Sequence, residues 1–298
     1  MNDSNMLALV ASADISRVVE SWPSGKVHSL FANSLNLQFG DRLVHVGHLA
    51  EGLAPFGIGA ERADIERLLW NVRIGELVRY QANQLIFSDR VRLSMNQVDV
   101  TDHTLDVYPY DLQTVDENVD CIFSNILEED WHTGFIETDI KRLLKDRCQS
   151  CTVHNSDLMT EKLQELEALA FGRQTTGSEG VFNYWIGRGQ GLTPSGDDLL
   201  VGMCAAMDGL GRSNPVFLRQ LKSYLLDKGH ARTTEIGYEY LWYATDKKYH
   251  SHVINICKSF VNEQTYTPLE AAQEMKAVGH TSGTDTLIGI LIGAKGLK

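Results

Sequence analysis

The chain of 298 residues is short of positive charge: 27 Lys and Arg stand against 39 Asp and Glu, a net charge of −12. A nucleic-acid partner leaves a basic footprint, and none is visible, so nucleic acid and an anionic membrane surface are both disfavoured. A small anion stays open, because a site only a few atoms wide can be positive inside an acidic protein. Cysteine is scarce and odd in number, at Cys121, Cys148, Cys151, Cys204 and Cys257. That argues against a disulfide framework and for a reducing, cytoplasmic setting. No stretch approaches the ~20 apolar residues of a membrane span. The apolar run Met6 to Ala11 lacks a basic flank and is too short for a signal peptide. The sequence also lacks G-x-S-x-G, a Walker A loop and H-E-x-x-H, so the commonest hydrolase, nucleotide and zinc signatures are missing.

What is present reads as an ordinary globular chain, 43% hydrophobic and 22% charged. At roughly 150 residues per domain its length suggests two domains. The halves differ in texture. In KVHSLFANSLNLQF (26–39), Leu35, Leu37 and Phe39 alternate with the period of a strand. RLVHVGHL (42–49) follows the turn signal Gly40-Asp41, and residues 76–95 predict two or three strands broken near Ala82-Asn83 and Ser88-Asp89. A short helix is expected near Asp64 to Trp70. From about residue 113 the period becomes helical: residues 161–172 end at Gly172, and residues 215–229 open on Pro215 and close on Gly229. The expected fold is α+β. A β-rich domain over 1–112, its strands forming a small sheet or barrel, precedes a mostly α-helical domain over 113–298 of about eight helices.

The most informative stretch is GRGQGLTPSGDDLLVG (187–202). A glycine-rich loop running into a helix start is a natural anion cradle, where unpaired N–H groups and the positive end of the helix dipole converge. Arg188, Gly189, Gly191, Thr193, Ser195 and Gly196 are candidate contacts, and Arg188 could add a bidentate contact to phosphate or carboxylate. A second copy occurs in GHTSGTDTLIGILIG (279–293). Ser195, Gly196, Asp198, Leu200 and Gly202 match Ser282, Gly283, Asp285, Leu287 and Gly289, five identities in eight positions. The bland reading is two S-x-x-D capping boxes. The extra glycines, Arg188 and the second acid Asp197 exceed what a cap needs. Gly202 and Ala206, like Gly289 and Gly293, are four apart. If those small faces pack together, both loops face one site. The carboxylates of Asp197, Asp198 and Asp285 suit an amide N–H₂ or a hard cation better than a phosphate. No cofactor is firmly implied, and Mg²⁺ is left open.

Other constellations are weaker. GHARTTEIGYEYL (229–241) sets Arg232, Thr233 and Thr234 at a helix start, which suits either an oxyanion or a capped helix with a solvated Arg. Cys148, Cys151 and His154 supply one C-x-x-C, too few ligands for zinc. Among the histidines His280 directly precedes the second loop, and a lone histidine is more often structural than functional.

Together, VHSLFANSLNLQF, RGQGLTPSGDDLLVGMCAAM, RTTEIGYEYL and GHTSGTDTLIGIL resemble the AllH family, a subunit of oxamate carbamoyltransferase. The resemblance runs from about residue 26 to 293, with 96–160 and its C-x-x-C outside the pattern. It implies anaerobic allantoin (purine nitrogen) breakdown, in which oxalurate and phosphate interconvert with oxamate and carbamoyl phosphate. It also implies AllF-like and AllG-like partner subunits, and leaves a homo-oligomer open. It carries onto Gly191, Thr193, Ser195, Gly196, Asp197, Asp198, Arg232, Thr233, Thr234, His280, Ser282, Gly283 and Asp285. Asp198, His280 and Asp285 are the candidates for a catalytic role. Two alternatives stand beside this: a non-catalytic subunit binding a small anion, and a divalent-metal hydrolase or phosphotransferase.

Overall fold

The computed structural model describes residues 6–87, 91–129, 131–135, 158–174, 177–261 and 266–296. The chain divides into two units, Met1–His103 and Thr104–Lys298; the division expected from sequence, at 112/113, lies a little further along. Among the described residues no helix is long and apolar enough to cross a membrane.

The first unit is a closed barrel. Its strands are β1 (Met6–Ser12), β2 (Ser24–Leu30), β3 (Ser34–Phe39), β4 (Arg42–His48), β5 (Gly57–Ala60), β6 (Leu77–Gln81), β7 (Gln84–Phe87), β8 (Val91–Ser94) and β9 (Asp99–Thr101). They join in the order β5-β4-β3-β2-β6-β7-β8-β1-β9, and β1 closes the ring on β5. The same edge of β1 pairs in parallel first with β8 (Met6 opposite Leu93), then with β9 (Val10 opposite Asp99). Eight strands therefore make the ring, and β9 continues the edge where β8 stops. Alternation fills the barrel: Leu35, Leu37 and Phe39 on β3, Val44 and Val46 on β4, and Leu85 and Phe87 on β7 are fully buried. Helices α1 (Ile15–Ser21) and α2 (Arg62–Asn71) add Ile15, Val18, Val19, Ile65 and Leu68 to that core. Ala82 and Asn83 both have positive φ, 50° and 56°, as a two-residue hairpin turn between β6 and β7 demands. Sequence patterning missed β1 because its burial pattern is irregular. The expected break at Ser88-Asp89 lies outside the described residues.

The second unit is helical: α3 (Leu112–Glu128), α4 (Leu158–Ala170), α5 (Ser178–Trp185), α6 (Ser195–Gly209), α7 (Pro215–Tyr224), α8 (Glu235–Thr245), α9 (Ser251–Phe260), α10 (Pro268–Lys276) and α11 (Ser282–Lys295). A π-helical turn, Leu225–Gly229, and a short turn, His230–Arg232, link α7 to α8. Every residue of α6 is buried, as are Gly283 through Ala294 of α11. A helix apolar all round belongs at the centre of its unit, and these two form that centre. They touch backbone to backbone. A Cβ on Gly202 would stand 2.0 Å from the Thr286 carbonyl oxygen, and one on Gly289 would stand 2.1 Å from that of Leu199. Gly293 in turn meets Met203. Leu199 meeting Gly289 and Met203 meeting Gly293 means that the two helices run parallel. Both N-termini therefore lie at one end of the pair.

Candidate functional site

The first turns of α6 and α11 lie side by side. Thr193 Oγ1 and Ser282 Oγ are 2.6 Å apart and share a hydrogen bond across the pair. Neither S-x-x-D motif is a capping box, which corrects the bland reading of the sequence. The residues at the N-cap positions are Pro194 and Thr281, neither side chain caps, and Ser195 and Ser282 are already the first helical residues. A true capping box does occur, at Thr267 and Glu270 before α10.

Three carboxyls occupy the two turns. Asp197 accepts the Gly187 N–H at 2.8 Å on Oδ1 and the Thr233 hydroxyl on Oδ2. Burial lifts it from 3.8 to about 6, and those two donors pull the other way. Asp198 is raised well above the carboxylate range, first by burial, then by the neighbouring charges of Asp285 and Asp197; the hydroxyls of Thr193 and Ser282 oppose the rise. Asp285 accepts the Thr133 hydroxyl and the Gly134 N–H, the latter at 3.1 Å on Oδ2. Burial raises it too, against the hydrogen bonds from Thr133 and Gly134. Tyr240 on α8 is pushed up by burial and by the Asp198 charge. Ser195 is fully buried, directly under Gly134: a Cβ there would come 2.1 Å from its hydroxyl oxygen.

Glycine shapes the loop leading into α6. Gly189 and Gly191 have φ of 107° and 99°, open to glycine and not to L side chains. The loop folds back so that the Gly196 N–H donates to the Arg188 carbonyl at 2.9 Å. Gly283 packs just as closely in the second turn, where a Cβ would stand 1.7 Å from the Met275 carbonyl oxygen.

The structure thus brings Thr193, Ser195, Asp197, Asp198, Thr233, Ser282 and Asp285 together. Thr234 stands beside them as the N-cap of α8, accepting from the Gly237 N–H at 2.9 Å while its hydroxyl donates to the Leu192 carbonyl. The two cations make contacts of their own. The Arg188 guanidinium sits 4.4 Å from the Tyr184 ring centre, and exposed Arg232 donates to the Asn183 carbonyl. His280 is exposed and stacks on His132, ring centres 6.0 Å apart. Among the described residues no three His, Cys, Asp or Glu are arranged to hold a metal ion. Asp197 and Asp285 are occupied by protein donors, which does not fit the Mg²⁺ that the sequence left open. Cys148, Cys151 and His154 lie outside the described residues.

Sequence reasoning missed Thr133, Gly134 and Tyr240. Tyr240 sits in an apolar helical run, where nothing marks it out. Thr133-Gly134 lacks any periodic context; its one signal is a hydroxyl residue beside a glycine, as in both loops.

A β-barrel unit followed by a helical unit, centred on a parallel pair of helices with matching first turns, is the class that fold and geometry define. A family model described as oxamate carbamoyltransferase subunit AllH matches residues 185–294, the stretch holding both turns. The AllH family N-terminal domain matches residues 6–100, the barrel. The chain belongs to the AllH family. No solved structure matches it.

Proposed function

We propose that this chain supplies the substrate site of an oxamate carbamoyltransferase, at the convergent first turns of α6 and α11. The reaction on this reading joins oxalurate and phosphate. A phosphate oxygen attacks the carbamoyl carbon, the bond from that carbon to the oxamate nitrogen breaks, and that nitrogen takes up a proton. The products are oxamate and carbamoyl phosphate, and the reverse follows the same path. The observation that carries the reading is the parallel pairing, with Thr193 and Ser282 bonded across it at 2.6 Å. Two positive helix ends then face one place. Buried Asp198, held above its ordinary range, can donate a hydrogen bond to a carbamoyl oxygen, where charge develops during transfer, or accept one from a carbamoyl N–H₂. Alignment of two substrates needs no covalent nucleophile.

The substrate is a small anion. The family description, a subunit, supports partners that complete the enzyme, and AllF-like and AllG-like chains in the cytoplasm fit that description. One observation favours a second reading, in which this chain binds the anion and its partners do the chemistry: the Arg188 guanidinium stands over the Tyr184 ring and Arg232 donates to the Asn183 carbonyl. The test is turnover of oxalurate and phosphate by the purified chain, alone and with partner subunits, beside thermal-shift titrations with carbamoyl phosphate, oxamate and oxalurate. Stabilisation lost in Ser195→Ala or Asp285→Asn supports a substrate site here. Turnover without partners selects the first reading, turnover with partners only selects the second, and no ligand shift rejects both.

A further inference from the structure

We propose that a second anion site, for a phosphate-bearing metabolite of nucleotide size, lies at the opposite end of α6 from the carboxyl cluster. A cleft of about 540 Å³ opens there, walled by Phe171, Arg173, Arg212, Ser213, Asn214 and Gly296 among others. That volume is in the range of small-molecule sites. None of the lining residues is acidic, in a chain of net charge −12. The 15 residues of α6 separate this cleft from the candidate carbamoyl site, about 22 Å at the usual helical rise.

Helices α4, α6 and α11 all end at this cleft, and cations at helix C-termini can simply offset the dipole. At the ends of α4 and α6, which carry the two arginines, these terminal carbonyls are already served by other groups. Gln174 N–H donates to Ala168 O, Gly172 N–H to Leu169 O, and Asn214 Nδ2 to Ala170 O. On α6, Leu210 N–H donates to Ala206 O, Arg212 N–H to Met207 O and Gly211 N–H to Asp208 O. The Tyr110 hydroxyl donates to Leu210 O. Neither guanidinium is needed as a cap. Arg212 donates through Nε to the Tyr110 hydroxyl at 3.0 Å, which leaves its two terminal nitrogens without a described partner. Exposed Arg173 stacks 5.4 Å from the Phe171 ring centre and pairs with no described acid. The nearby acid, Asp208, is engaged by Ser213, by Tyr249 at 2.5 Å and by Lys247 at 3.7 Å.

Two guanidinium forks without a carboxylate match phosphate oxygens, which guanidinium binds in bidentate fashion. The cleft is larger than inorganic phosphate needs, and Phe171 gives an organic body an apolar wall.

Isothermal titration of the full chain with ATP, AMP, pyrophosphate, inorganic phosphate and oxalate, at fixed ionic strength, tests this. The expected result is saturable binding of ATP or AMP, weakened at least about tenfold by Arg173→Glu and by Arg212→Gln and unchanged by Ser195→Ala. Arg173 is exposed, so its replacement leaves the fold intact even if the Arg212 variant is compromised. The proposal fails if no nucleotide binds saturably, if binding survives Arg173→Glu, if inorganic phosphate binds as tightly as ATP, or if oxalate does.

Discussion

Gly202→Ala reverses the usual sign of a helical glycine substitution. In an unobstructed helix interior, alanine is favoured over glycine by about 1 kcal/mol. At Gly202 the new methyl would stand 2.0 Å from the Thr286 carbonyl oxygen and 2.9 Å from the Ile290 nitrogen. An ordinary carbon–oxygen contact is about 3.3 Å or more, so α6 and α11 must part by over an ångström, and the obstruction is backbone that no rotamer change can move. Overpacking a core costs about 1–3 kcal/mol. With the obstruction rigid the cost lies at the upper end, and after the propensity gain the net loss is about 2 kcal/mol. Gly180 on α5 is the control, because a Cβ there meets nothing within 4 Å. Gly180→Ala should stabilise by about 0.5–1 kcal/mol. Urea unfolding followed by helical circular dichroism reads both. A Gly202→Ala chain as stable as the parent, or a Gly180→Ala chain as damaged as Gly202→Ala, would refute close backbone contact as the reason for these glycines.

Three further outcomes follow from the same geometry. Asp197 keeps its proton to about pH 6 when folded, against 3.8 ordinarily, so the stability it contributes is full below about pH 4 and lost as pH rises to 6. Asp197→Asn should remove roughly 2–3 kcal/mol of that slope, read from unfolding free energies at several pH values; an unchanged slope overturns the assignment. Thr267→Ala, which breaks a true capping box, should cost about 1 kcal/mol, whereas the loss in Ser282→Ala comes from its bond to Thr193 and should shrink when Thr193→Val is already present; a Ser282→Ala loss that persists in full in that background, measured by urea unfolding, would reinstate the cap reading. Thr133→Val takes a hydroxyl from Asp285 and should raise the pH midpoint of any oxalurate-dependent activity; a midpoint that stays put denies Thr133 a role in holding that carboxyl.

Much of this architecture is legible in residue order. The alternation of Leu35, Leu37 and Phe39 marks a barrel strand, and Ala82-Asn83 falls on the β6–β7 turn. The small residues four apart, Gly202 and Ala206 in α6 and Gly289 and Gly293 in α11, mark the helix contact, because only a missing side chain lets two backbones meet. The role of the two serines was not legible. Both S-x-x-D strings satisfy the local pattern of a cap, and helix register alone decides that Pro194 and Thr281 take that position. Thr133 and Gly134 were illegible for a deeper reason: 152 and 151 residues separate them from Asp285, and no local spacing encodes a contact made only by the tertiary fold.

The charge balance of the two turns decides which end of a substrate they can receive. Two helix N-termini bring roughly half a positive charge each. Three ionised carboxylates would outweigh them and repel any anion. Burial raises all three, and for Asp198 the two neighbouring charges raise it further; against the roughly one positive charge of the two helix ends the sum is neutral when two of the three carboxyls hold a proton, Asp198 among them. On the proposed reading, a nearly neutral floor of buried carboxyls takes the amide end of oxamate, and the carboxylate end stays toward the glycine loop and its N–H groups. Oxamate and oxalate differ in just that group, an amide in one and a second carboxylate in the other. The chain should therefore bind oxamate at least about tenfold more tightly than oxalate, since an unpaired charge against a buried carboxyl costs more than a kcal/mol. Asp198→Asn removes the titrating group and the charge it would carry, and should narrow that ratio without abolishing oxalate binding. Competitive titration of both ligands against parent and variant measures the ratio. Equal affinities in the parent chain would mean that the carboxyl floor does not read the amide, and the orientation would have to be reversed.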